Sequence, residues 1–241
     1  MGNLLFNKIR LSWYFDIFLI IFLVLAFNLP KITFQGGALT LFSVNSFLYG
    51  FYLAPILTAQ KTRIEDLHRA VRSEASAIFG MMLHLKKLPE KLRNELQSDM
   101  ELYIKKILTE RKAGQGEKEY EKLISYCLKY KGPHQIAIDQ LLDRLIANEQ
   151  NRTQFSMLLS SKVFSHEWMV IMVLFFITIG FVLVIKGGEH FAFNFVTALL
   201  CTGLSMLLII LAKLSNLTHK RAKQIWEPYE KLLKTHFYRI D

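Results

Sequence analysis

Four apolar runs constrain this chain more than any other feature: Leu11–Leu29, Ala38–Ala59, Trp168–Ile185 and Phe191–Lys213. A helix needs about 20 predominantly apolar residues to cross a bilayer, so each run is a candidate span. Backbone groups in lipid must find partners within the chain, which makes the spans helices. The chain is 52% hydrophobic yet 21% charged. Both figures hold only if the two kinds of residue are segregated, and the charge gathers between the second and third runs. The pattern predicts an all-α membrane protein with four transmembrane helices, two plus two, around a helical insert. Its segments are 1–59 with spans one and two, a helical region at 60–165, spans three and four at 166–213, and a basic tail at 214–241.

Charge sets the topology. The net charge is +10, and much of it lies beside the spans, as the positive-inside rule expects. The N-terminus, the middle region and the tail are rich in Lys and Arg. The two short loops carry only Lys31, and Lys186 with Glu189. Both termini and the middle region are therefore expected in the cytoplasm. The charge does not call for nucleic acid as a partner, whereas a positive field concentrates small anions. Lys8 and Arg10 precede a run that is too long for a signal-peptide core, contains Asp16 and lacks a small-x-small cleavage site. Asp16 reads as an interfacial carboxylate near Arg10; a functional role needs it to face the bundle interior.

In the middle region, Ile64, Leu67, Val71, Ala75, Ile78, Met82 and Leu85 recur at three- and four-residue spacings, the buried stripe of a helix over Gln60–Leu88. Lys61, Arg63, Glu65, Asp66, Arg69, Arg72 and Glu74 fill its other faces. Pro89 suits the first turn of a following helix. Glu90–Arg111, a break at Ala113–Gly116, and Glu117–Tyr130 come next. The helix from His134 to Ser165 has no strong breaker before Trp168, so it is expected to run on into the third span. Asn148, Glu149 and Arg152 interrupt its apolar side and read as a solvated or intersubunit polar patch.

Catalytic patterns are absent. There is no Walker glycine loop, paired-Cys motif or Gly-x-Ser-x-Gly. His166-Glu167 has no second His four residues after the first, as a zinc-protease helix would. Cys127 and Cys201 read as packing residues. No enzyme activity, cofactor or metal is expected.

The second span differs from a merely lipid-soluble helix. Thr40, Ser43, Ser46, Gly50 and Ala54 form a small and hydroxyl-bearing stripe, with Phe47 and Phe51 one turn apart. They suit the lining of an ion pathway; a lipid-facing or helix-packing role for the two rings is the alternative. Pro55 removes a backbone donor nearby, where a kink is plausible.

The string Phe47-Leu48-Tyr49-Gly50-Phe51-Tyr52 resembles the pore-lining second helix of bestrophins, and Arg63-Ile64-Glu65-Asp66-Leu67-His68-Arg69 is similar to its cytoplasmic extension. Arg69-Ala70-Val71-Arg72-Ser73-Glu74-Ala75-Ser76, with Leu88-Pro89-Glu90 and Tyr103, resembles the bacterial bestrophin-like family more closely. The order of elements matches over most of the chain. Ser215-Asn216-Leu217 stands where an Asn-Pro-Phe is expected, and Ser43 where the neck has a bulky aliphatic residue. The resemblance implies a homopentamer in a bacterial inner membrane, conducting small anions such as chloride. Phe47, Phe51 and Ser43 would form its neck, and Thr40, Ser46, Gly50 and Ala54 would line the pore. Inorganic ions and membrane lipids would be its other partners. A cation or non-selective channel has the same architecture. A membrane-anchored signalling protein, with the Gln60–Leu88 stripe as an oligomerisation module, is the alternative from another class.

Overall fold

The computed structural model describes residues 10–110, 116–187, 190–217 and 224–234. Among these residues there are eight α-helices: α1 (Leu11–Asn28), α2 (Gly36–Leu85), α3 (Glu90–Glu110), α4 (Glu117–Lys129), α5 (Gln135–Ser160), α6 (Ser165–Val184), α7 (His190–Ser215) and α8 (Glu227–Lys234). A 3-10 turn, Gln224–Trp226, precedes α8. Four helical stretches among the described residues are long and apolar enough to cross a membrane: α1, α2, Gln135–Val184, which holds α5 and α6, and Phe191–Ser215 of α7. The only β pairing among the described residues is an isolated bridge between Ile32 and Ile185. Two compact units result: 1–62 with 162–219, and 63–161 with 220–241.

The first unit holds the spans. Phe22 and Ala26 of α1, Tyr49 and Leu53 of α2, Ile171 and Phe175 of α6, and Ala198 and Cys201 of α7 share one core. α2 runs through Pro55 without ending. The last carbonyls of a helix lack internal partners and attract cations. At the end of α6, Lys31 Nζ donates to the Leu183 carbonyl at 2.8 Å. The Ile32 N–H donates to Val184 at 2.7 Å, and the Lys186 N–H returns a bond to Ile32 at 3.0 Å. Within the bundle, Asn45 Nδ2 donates to Thr178 Oγ1 at 2.8 Å and to the Leu174 carbonyl at 3.2 Å, clamping α2 to α6. Asp16 is exposed.

In the second unit all seven stripe residues, Ile64, Leu67, Val71, Ala75, Ile78, Met82 and Leu85, are buried. Two residues expected on the charged faces are buried with them. Arg63 donates through Nε to the Leu158 carbonyl at 2.7 Å and through Nη2 to Leu159 at 3.0 Å, capping the end of α5. Glu74 is fully buried. It lies seven residues from both Leu67 and Met81, two helical turns each way, so its place is on the core side of the helix.

The third span does not continue the preceding helix. α5 ends at Ser160 and α6 begins at Ser165. Glu167 Oε2 accepts the Phe164 N–H at 2.9 Å, a carboxylate cap that starts a new helix by satisfying a donor the first turn cannot. Several sequence features lie outside the described residues: Lys8, the Gly188-Glu189 part of the loop after α6, the break at Ala113–Gly116 except Gly116 itself, and Lys220, Arg221, Lys223 and Arg239 of the tail.

Candidate functional site

The face of α2 that carries the expected pore residues is not covered by the other described residues. Thr40, Ser43, Phe47, Gly50, Phe51 and Ala54 are exposed, while Tyr49 and Leu53 point into the core. Phe47 and Phe51 are each 68% exposed and stack with ring centroids 5.8 Å apart. The hydroxyls of Thr40 and Ser43 donate to the Gly36 and Leu39 carbonyls, both at 3.0 Å, so their protons stay on the helix and their lone pairs face outward. Ser46 departs from this set: its Oγ is buried with no hydrogen-bond partner. Ser46 therefore does not share the exposed face of the other six residues.

A second constellation sits in the helical unit. Both oxygens of Glu74 accept phenolic protons, Oε1 from Tyr103 of α3 and Oε2 from Tyr229 of α8, the latter at 2.6 Å. Arg152 of α5 donates from Nε to the Tyr103 hydroxyl at 3.0 Å. Its Nη1 pairs with Glu149 at 2.5 Å and its Nη2 with Glu117 at 3.2 Å. The guanidinium lies 3.7 Å from the centre of the Tyr120 ring, a cation–π contact. Tyr120 in turn donates to the Leu145 carbonyl at 2.8 Å and accepts from Asn148 Nδ2 at 3.1 Å.

Burial disfavours an ionised carboxyl. It raises the pKa of Glu74 against the opposing pull of the Tyr103 and Tyr229 bonds and the Arg152 charge. Burial likewise holds Tyr103 and Tyr229 well above the phenol range and pushes Tyr120 up to about 12. For Arg152, burial lowers the pKa, but Tyr103, Glu149 and Glu117 outweigh it and the net shift is upward.

Asn148 and Arg152 are thus buried members of one network, not a solvated patch, and only Glu149 keeps substantial contact with water. They continue the spacing of Leu141 and Leu145, followed by Phe155 and Leu159. That unbroken period is the signal that identifies them. The partners Tyr103 and Tyr229 lie too far along the chain for spacing to reveal them.

Among the described residues, no group of three His, Cys, Asp or Glu side chains could hold a metal ion. Cys127 and Cys201 are free and buried.

An all-α scaffold with four helices long and apolar enough to cross a membrane, and a helical insert between the second and third, is that of a membrane protein. The bestrophin-like domain family model matches residues 17–219, and the chain belongs to that family, which is of ion-channel type rather than enzymatic. No curated protein sequence and no solved structure gave a match.

Proposed function

We propose that the protein is a homopentameric channel for small anions such as chloride, with its constriction at Phe47 and Phe51 of α2. The observation that carries this reading is the pair of stacked rings on the exposed side of α2, in a chain of the bestrophin-like family. A membrane helix that builds a core on one side leaves two stacked rings, two outward hydroxyls, Gly50 and Ala54 on the other. Repeated around an axis, the rings form an apolar neck that gates by dewetting. Aromatic edges carry partial positive charge, which favours anions passing edge-on. Ser43, one turn before Phe47, would widen the neck on that side, and Thr40, Gly50 and Ala54 would line the approaches. The basic middle region and both termini would face the cytoplasm, in a bacterial inner membrane.

The stripe on Gln60–Leu88 favours this reading over a signalling adaptor. An adaptor needs the stripe free for a partner, and here it is buried within its own unit. The test is current from purified protein in planar bilayers. Chloride conductance is expected, and Phe47→Ala with Phe51→Ala should raise it or abolish gating. A wild-type bilayer silent across several ions and voltages would sink the reading. Current with a reversal potential set by sodium would transfer it to a cation channel of the same build. A mass other than five subunits would correct the stoichiometry.

A further inference from the structure

We propose that α8 is a releasable arm: it folds onto α2 through Tyr229 and Glu74, and the ionisation of Glu74 sets how often it lets go. The arm lies wholly within the helical unit and is independent of what the spans conduct. Its described part has eight residues, and isolated helices shorter than about 12–15 residues are marginal in water. Docking and folding of α8 are therefore one step. Ile225, Trp226 and Tyr229 are buried by that step, and the Tyr229 hydroxyl donates to Glu74 Oε2 at 2.6 Å. On the outer side the Glu227–Lys231 pair, 2.9 Å apart, is exposed and adds little.

Glu74 is faced from every packed element. Tyr103 comes from α3, Tyr120 from α4, Glu149 and Arg152 from α5, and Tyr229 from α8; Glu117 of α4 reaches it only through Arg152. The single guanidinium of Arg152 is shared among Glu149, Glu117 and, through the Tyr103 hydroxyl, Glu74. Burial raises the pKa of Glu74 in this setting. A released arm admits water to Glu74 and relaxes the shift. The docked form therefore binds the proton more tightly than the released form. Docking is favoured at low pH, and that contribution is lost as pH rises through the docked-state pKa. The protonated carboxyl keeps its anchor: one oxygen still accepts from Tyr103, and its own O–H donates to the Tyr229 oxygen.

The experiment is hydrogen exchange on the full chain in lipid nanodiscs, with each rate corrected for the intrinsic chemistry of that amide. In wild type, amides 224–234 should open progressively more often as pH rises above the ordinary carboxyl range, while those of α3 and α5 stay level. Glu74→Gln holds the group neutral and should keep the arm docked with a flat pH profile. Tyr229→Phe removes one hydroxyl and should open the arm roughly tenfold more often at low pH. It carries the test if the Gln variant does not fold. The proposal is overturned if Glu74→Gln keeps the wild-type slope, if Tyr229→Phe leaves the arm unchanged, or if 224–234 exchange only together with the rest of the unit.

Discussion

Arg152 shows how one residue can hold a network together by meeting rings, a hydroxyl and carboxylates at once. Its flat guanidinium covers the Tyr120 ring, while its edge reaches the Tyr103 hydroxyl and two carboxylates. Glu117 and Glu149 are 48% and 42% exposed, so water would take over their solvation if Arg152 were lost. Tyr103 and Glu74 have no such recourse. Arg152→Ala should therefore cost about 3 kcal/mol, the low end for breaking a buried charged contact, read as a lowered thermal midpoint. Arg152→Lys should fall between the two, because an ammonium keeps the charge but cannot stack and fork at once. A change under about 1 kcal/mol for the Ala variant would mean that the tyrosines carry the cluster without it. In the sequence, the periods through Glu74 and Arg152 are legible. Their burial is not, because a charged side chain at a stripe position reads as a solvated face until its partners are known, and these come from four distant segments.

At the scale of elements, the start of α4 depends on Gly116. Its φ of 79° lies in the left-handed region, which side chains with a Cβ occupy at a cost. A Cβ there would stand 2.8 Å from the Tyr103 ring, so no substitution leaves both the turn and the ring in place. Gly116→Ala should destabilise the helical unit by on the order of 2 kcal/mol and raise exchange at the first amides of α4. Unchanged exchange there would show that the turn relaxes freely. The helices themselves are well written in the sequence: apolar runs mark the spans, and periodic residues mark the α2 extension and α5. The join between α5 and α6 is not. Ser161, Lys162 and Val163 would each tolerate a helix, and only Glu167, three residues after the Phe164 amide it caps, marks the new start. The C-terminal segment likewise reads as a basic tail because Trp226 and Tyr229 are scattered among charges, yet both are buried.

For the whole molecule, one chain cannot distinguish an apolar face turned to lipid from one turned to an axis. The spans were legible because bilayer thickness fixes their length and apolar character. The identity of the pore-facing side is a property of the assembly, and both kinds of surface appear exposed in a single subunit. Symmetry supplies the discriminating experiment. If Phe47 and Phe51 meet around an axis, every substitution in them enters the neck once per subunit, and channels built from mixed subunits contain intermediate necks. Co-expression of wild type with the Phe47→Ala, Phe51→Ala variant, followed by single-channel recording, should give discrete conductance classes numbering one more than the subunits. Their populations should follow the mixing ratio, because subunits that differ only at the neck assemble at random. Rings that face lipid predict a single class at every ratio, since the ion path would not see them. Classes that fit a number other than five would keep the rings at the axis and correct the pentamer. The one measurement thus ties the exposure of two side chains to the architecture of the complex.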